Sequence, residues 1–310
     1  MALASNKFTR LLLKMIDADN YHYLKSEARR IKLHKRYINY APPALLSAPR
    51  VCGRPPTFKH SGNAGDVIYA LPALRLLSGN DGGVLSLRLG VPIREKSIKR
   101  HPLGGVQLNQ TMYDLLQPLL SAQSYLKAVV IDDGSPVDFD LDTFRDSPLP
   151  LDRLGISRWY FYMFGLAGDL SEPWLQVEPD SYWHETIIVA RSMRYRNLAL
   201  DYSCLEGCGN IVFVGLFDEF ADFRKCVPSA QWVRVRDFLE LARMIAGCRF
   251  FIGNQSFPFS LAEGLKVRRI LESDPGTPNV VPTGSYAYDV LFQKQFECVV
   301  AKLLEQAFRP

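Results

Sequence analysis

Lys59-His60-Ser61-Gly62-Asn63-Ala64-Gly65-Asp66, running on into Val67-Ile68-Tyr69-Ala70-Leu71-Pro72, is the stretch whose reading decides the fold. It reads as the end of a buried strand, a tight polar turn and a new helix. Its counterpart in the other half is Phe250-Phe251-Ile252-Gly253-Asn254-Gln255-Ser256, followed by Phe257-Pro258-Phe259-Ser260-Leu261-Ala262-Glu263. Two strand–turn–helix units in separate α/β regions imply a cleft between domains, and a cleft implies a substrate.

Around each turn the pattern alternates between strand and helix, which indicates parallel sheets. In the first half the expected strands are Thr57–His60, Val84–Leu89, Gly105–Leu108 and Leu126–Ile131, with helices over Asp66–Leu77, Met112–Ala122 and Leu151–Leu166. Pro72 predicts a kink or a restart in the first of these helices. The aromatic run Trp159, Tyr160, Phe161, Tyr162 and Phe164 reads as core or a domain face. Glu178-Pro179-Asp180-Ser181 is the expected linker, after which the pattern begins again. The second half is read as five strands, at 186–190, 210–214, 231–235, 249–252 and 267–271, with a long final helix over Tyr286–Ala307. Asp237 is placed to cap the helix Phe238–Ala246, and Ser256 the helix Phe257–Leu265, where Pro258 fits the first turn. Three units follow: a basic helical extension (1–50), an N-terminal Rossmann-like domain (51–178) and a C-terminal Rossmann-like domain (179–310).

Composition agrees with an ordinary globular protein, at 310 residues, 47% hydrophobic and 22% charged. No stretch approaches 18 consecutive apolar residues, so no membrane span is expected. The N-terminus carries no secretory pattern, and a cytoplasmic protein is expected. The six cysteines are expected as free thiols. Cys204 and Cys208 lie close together, but no second close pair completes a metal site. His60, His101 and His184 are isolated, so no zinc site is expected. The formal charge of +5 is uneven, because residues 1–50 carry ten Lys/Arg against three Asp/Glu. Leu11-Leu12-Leu13 and Met15-Ile16 sit beside Lys7, Arg10 and Lys14, which suits a helix lying on a membrane surface. The other reading is a basic helix packed on the body or on another subunit. Nucleic acid is not favoured, since it rests on this basic region alone.

The second turn carries the first candidate chemistry. Backbone N–H groups at Asn254, Gln255, Ser256 and Phe257, the helix dipole and the Ser256 hydroxyl form a potential anion site at a strand's carboxyl end. The first strand of the same half exits into Arg191-Ser192-Met193-Arg194-Tyr195-Arg196, whose three guanidinium groups suit a diphosphate. Gly215 permits close backbone approach, and Glu219 can accept from ribose hydroxyls. In the first turn, Gly62 and Gly65 allow tight bending, and Asp66 is a candidate base for an attacking sugar hydroxyl. Capping of a helix beginning at Val67 is the other reading of Asp66. Neither turn has dinucleotide-fingerprint spacing or the ending of a phosphate-binding loop.

These residues resemble the bacterial glycosyltransferase family 9, which includes the ADP-heptose:lipopolysaccharide heptosyltransferases. Gly65-Asp66-Val67-Ile68-Tyr69-Ala70-Leu71-Pro72 is similar to the family's N-terminal motif, and Ile252-Gly253-Asn254-Gln255-Ser256-Phe257-Pro258-Phe259-Ser260-Leu261-Ala262 to its C-terminal one. The resemblance covers roughly residues 57–305. It implies the GT-B fold, two Rossmann-like doubly wound domains facing a cleft. It also implies an inverting, metal-independent transfer from a nucleotide diphosphate-sugar, ADP-linked by preference, to a glycan or lipopolysaccharide-like acceptor. Asp66 would be the base, with Ser61, Asn63 and Gly65 on the acceptor side. Arg191, Ser192, Arg194, Arg196, Gly215, Glu219, Asn254, Gln255 and Ser256 would hold the donor. The chain departs from the family pattern at Gln255, Phe257 and Ser260, where the family has an acidic residue, a glycine and a histidine. Those departures support two alternatives: an inactive GT-B-like protein that binds a glycan or partner, and a two-domain sugar-nucleotide epimerase.

Overall fold

The computed structural model describes residues 7–46, 53–93 and 104–306. The chain opens with three helices, α1 (Lys7–Ile16), α2 (Ala18–Ile38) and α3 (Pro43–Leu46). Next come β1 (Thr57–His60), α4 (Ala64–Ser78), β2 (Gly83–Leu87), α5 (Gln110–Ser121), β3 (Leu126–Ile131), β4 (Phe139–Asp140) and α6 (Ile156–Phe164). The remainder is β5 (Thr186–Ala190), β6 (Asn210–Val214), α7 (Phe217–Phe223), β7 (Gln231–Val233), α8 (Phe238–Gly247), β8 (Phe250–Asn254), α9 (Phe257–Leu265), β9 (Arg269–Glu272), β10 (Ala287–Val290) and α10 (Gln293–Glu305).

The strands form two sheets, each parallel throughout, in the orders β3-β2-β1-β4 and β10-β9-β8-β5-β6-β7. Each order reverses once, between β1 and β4 in the first sheet and between β5 and β8 in the second. In open α/β sheets a ligand crevice forms beyond the carboxyl ends of the strands at such a reversal. The quoted turns leave β1 and β8, so both stand at these points.

Burial explains the second sheet's apolar strands. All five residues of β5 are buried, and so are those of β8. Ile188 and Phe251 join one apolar cluster, while Ile187, Val189 and Phe250 join another. This is the period-two division of a strand covered on both faces. The first cluster continues through Leu261 and Ala262 to Phe58, Leu71 and Phe144, so apolar packing runs unbroken from one sheet to the other.

Several expected elements differ. Residues 105–108 form no strand; Val106 makes a single antiparallel bridge to Pro92. Helix α4 is one helix containing Pro72, not a restarted pair. The helix expected from residue 151 begins only at Ile156. The long final helix divides into β10 and α10, so the second sheet has six strands; its expected end at Ala307 lies outside the described residues, as does His101. Asp237 caps α8 by accepting from the Glu240 N–H at 2.8 Å. Ser256 occupies the N-cap of α9 without a side-chain cap bond. Cys204 and Cys208 are free thiols. Among the described residues no helix is long and apolar enough to cross a membrane, and no group of three or more His, Cys, Asp or Glu could hold a metal ion.

A buried relay fixes the start of α4. The Gly62 N–H donates to His60 Nδ1 at 2.9 Å. The imidazole proton is thereby assigned to Nε2, which lies 2.8 Å from the Tyr160 hydroxyl. That hydroxyl in turn donates to the Asp66 carbonyl at 3.1 Å. Burial lowers the pKa of His60 and keeps the ring neutral. An imidazole depressed in the folded state stabilises the fold fully above its unfolded value of about 6.5 and loses that contribution as pH falls below it. Folding free energy should therefore fall on the acid side of pH 6.5, with a slope of up to about 1.4 kcal/mol per pH unit from this group. Urea titrations across pH, compared with His60→Gln, check this. The variant should be less stable at pH 7 and show a shallower acid limb. Parallel limbs would contradict the neutral relay.

Candidate functional site

Asp66 lies in the first turn of α4, two residues after its first residue Ala64, with Asn63 as N-cap. It is therefore not the cap. Its carboxylate receives a hydrogen bond from Arg145 Nη2 at 3.1 Å. Arg145 comes from a 3-10 turn (Leu141–Asp146) immediately after β4. Its Nε also reaches Asp142 at 3.4 Å, and its guanidinium lies 4.7 Å from the centre of the Phe144 ring. Burial opposes the charge on Arg145, but Asp66, Tyr160 and Asp142 outweigh it and raise its pKa. Gly62 has a spatial reason to be glycine: a Cβ there would lie 2.0 Å from Arg145 Nη2 and 2.7 Å from the His60 ring. The Ser61 N–H donates to Asp142 at 3.2 Å, which ties the turn to the same support. Gly65 packs against the start of α9, where an added Cβ would stand 3.8 Å from Phe257 Cα.

The opposing side is less available than its residue types promise. Asn254 is fully buried. Its Oδ1 accepts from the Ser192 N–H at 3.1 Å, while its Nδ2 donates to the carbonyls of Ser192 and Arg194 at 3.0 and 2.6 Å. Asn254 thus buckles the β5 exit loop to β8. The Ser192 hydroxyl donates to the Arg194 carbonyl at 3.1 Å. Gln255 donates to the Thr277 carbonyl and to Asn279 Oδ1 at 2.6 and 2.8 Å, and accepts from the Asp274 N–H at 2.9 Å. Its amide braces the 274–279 loop.

The three arginines expected at the phosphates are held differently from one another. Arg191 donates to Glu272 through Nε at 2.7 Å and Nη2 at 2.9 Å. Glu272 is fully buried and also accepts from Tyr202 Oη at 2.7 Å and the Asn197 N–H at 2.6 Å. Removing Arg191 from that carboxylate would leave a buried charge short of its counterion. Arg196 is held by Asp222 at 2.5 Å and by the Ser192 carbonyl at 2.9 Å. Arg194 is the arginine of the three that lines the cleft.

Glu219 likewise accepts backbone N–H groups, from Leu216 at 3.1 Å and Met193 at 3.3 Å. Burial raises its pKa despite these bonds. Its carboxylate ties the β5 exit to the β6 exit, where Gly215 adopts φ 150°. The amide donors at the start of α9 are also depleted. The Ser256 N–H bonds the Asn254 carbonyl at 2.7 Å, Pro258 has no N–H, and the Phe259 N–H bonds the Ser256 carbonyl at 3.0 Å. Ser260 donates back to the Phe257 carbonyl at 2.6 Å.

One cleft nevertheless joins the two turns. Asn63, Gly65, Asp66 and Arg145 line it from the first sheet's side, and Arg194, Tyr195, Gln255 and Ser256 from the second's. Asp66 is the one carboxylate among the described residues lining it. Sequence reading missed Arg145 entirely. The nearest signal was the acid-rich segment Asp138–Asp146, which contains a two-residue strand too short to be recognised by pattern.

No protein-family model matches the chain, and no curated protein matches it. Solved structures do match. A glycosyl transferase family 9 protein from Veillonella parvula DSM 2008 is 12% identical, with 83% of this chain and 98% of that one covered at a TM-score of 0.54. E. coli ADP-heptose lps heptosyltransferase II is 11% identical, covering 80% and 98% at 0.51. E. coli heptosyltransferase WaaC with ADP is 10% identical, covering 80% and 99% at 0.54. At such identities the likeness is one of architecture. The chain has the GT-B fold of these glycosyltransferases, with two parallel α/β sheets presenting their strand ends to a shared cleft.

Proposed function

We propose that this chain is a glycosyltransferase of the heptosyltransferase type. It moves a sugar from a nucleotide diphosphate donor, ADP-linked by preference, to a hydroxyl of a glycan acceptor. The observation that carries this reading is the placement of Asp66 and Arg194 on opposite walls of one cleft. Residues 51–178 would form the acceptor side and 179–310 the donor side, with the segment Glu178–Ser181 between them.

The acceptor hydroxyl attacks the anomeric carbon as its proton passes to Asp66. The bond from that carbon to the diphosphate oxygen breaks, and the electron pair leaves with the nucleotide diphosphate. A single displacement of this kind inverts the anomeric centre. Retention through a glycosyl–enzyme intermediate would call for a second carboxylate beside the first, whereas Asp66 is the single carboxylate among the described residues lining the cleft. Arg194 would meet the charge gathering on the diphosphate, with Ser256 lining the same cleft. Arg145 holds Asp66 at its post and needs no metal partner to do so. The cleft encloses about 220 Å³. Small-molecule sites usually run from about 300 to 1,000 Å³, somewhat larger than this cleft.

Nucleotide release measured with a panel of sugar-nucleotide donors and acceptors tests the reading. Asp66→Asn should lower turnover by about 10²–10⁴-fold while donor affinity stays within a few-fold. Undiminished turnover in that variant would remove the base role, and donor turnover without acceptor would indicate an epimerase. Donor binding without transfer under any acceptor would leave a binding protein. The arginines should separate. Arg194→Gln should raise the donor KM about tenfold with an unchanged melting temperature, whereas Arg191→Gln should lower stability by about 3–5 kcal/mol.

A further inference from the structure

Helices α1 and α2, joined through Asp17 alone, line no part of the cleft, and their surface has the wrong polarity for water. Residues 8, 11, 12, 15 and 16 of α1 are Phe, Leu, Leu, Met and Ile, the i, i+3, i+4, i+7, i+8 spacing of one apolar helix face. On a helix packed against a protein body this stripe is buried. Here Leu11 is 58% exposed, Leu12 46%, Met15 78% and Ile16 75%. Lys14, which follows Leu11 by three positions, is exposed as well. Helix α2 has no buried residue over its 21 positions. Lys25, Arg29, Lys32 and Arg36 recur along it at i, i+4, i+7 and i+11, which sets them in one stripe. Across residues 7–38 nine Lys/Arg face three Asp/Glu, and Glu27 is already paired with Arg30 at 2.9 Å.

We propose that this pair of helices is a docking surface for an anionic lipid bilayer. The outward apolar face of α1 enters the acyl boundary, and the basic residues of α1 and α2 engage the headgroups. Charge decides between the candidate occupants. A second copy would bring two strongly positive helix pairs together. A nucleic acid would reward the basic stripe and leave the α1 leucines, methionine and isoleucine in water. An anionic bilayer answers both features at once. The C-terminal end of α2 also has a fixed root: the Tyr37 hydroxyl donates to the Pro148 carbonyl at 2.8 Å, three residues beyond Arg145. Binding would therefore set the Arg145 edge of the cleft beside the membrane.

Flotation of the full chain with vesicles tests this without any sugar or acceptor, so it stands or falls apart from the transferase reading. Binding to vesicles of phosphatidylcholine with phosphatidylglycerol should exceed binding to phosphatidylcholine alone by about tenfold or more. The triple variant Leu12→Glu, Met15→Glu, Ile16→Glu should lose binding by about tenfold or more, with an unchanged melting temperature because these side chains are exposed. Arg29→Gln with Lys32→Gln and Arg36→Gln should erase the preference for phosphatidylglycerol. Absence of vesicle binding, or binding indifferent to the triple glutamate variant, would overturn the proposal. So would a dimer that the triple glutamate variant dissolves, or tight RNA binding by a chain that ignores vesicles. Loss of sugar transfer with vesicle binding intact would count against the transferase reading alone.

Discussion

The relay from Gly62 through His60 and Tyr160 to the Asp66 carbonyl is the interaction on which the candidate site depends. It joins the end of β1, the first turn of α4 and the middle of α6 by three hydrogen bonds among buried groups. A neutral imidazole can serve this arrangement because one ring nitrogen accepts while the other donates. Protonated, it would have two donors, and Gly62 would face a donor with a donor. The relay holds the backbone of Asp66, while Arg145 holds its side chain. Gly62 makes room for Arg145 by having no Cβ. One short turn therefore sets the carboxylate from two directions, and each support comes from a different part of the first sheet's region.

The second sheet achieves its rigidity differently. There the polar residues at the strand ends are consumed by the backbone of neighbouring loops. Asn254 closes the β5 exit, Gln255 the 274–279 loop, Glu219 the β6 exit, and Glu272 collects Arg191, Tyr202 and Asn197. Buried polar groups are affordable only when fully bonded, and these are bonded several times over. The consequence is a sparse cleft. Few of its charged groups face open space, which leaves Asp66, Arg145 and Arg194 to carry whatever electrostatics the site offers.

What could be read in the sequence follows the range of each interaction. The two turns were legible because a strand, a glycine-bearing turn and a helix start form one local pattern. Asp66 and Ser256 inherit their positions from that pattern and line the cleft. Arg145 was not legible, because it stands 79 residues from Asp66 and follows a two-residue strand. The three arginines after β5 looked equivalent for a related reason. Arg191 and Arg196 are taken by carboxylates 81 and 26 residues away, and nothing local marks Glu272 or Asp222 as their partners. Residues 287–290 were read as helix because Tyr286–Ala307 lacks a glycine or proline to divide it. The parallel pairing of Ala287–Val290 with β9 at the sheet edge overrides that local preference.

The pairing of Asp66 with Arg145 bears on the proposed chemistry in a way that favours a concerted transfer. The guanidinium donates to the carboxylate at 3.1 Å and so fixes where it stands. In a displacement where the new carbon–oxygen bond forms as the proton leaves, the hydroxyl becomes acidic only as it commits, and a carboxylate in the right place suffices. Placement then matters more than strength. The structure invests in placement, with a relay beneath the backbone of Asp66 and a seated arginine against its side chain. On this reading Arg145 serves the reaction by position, seating the Asp66 carboxylate where an acceptor hydroxyl would meet it.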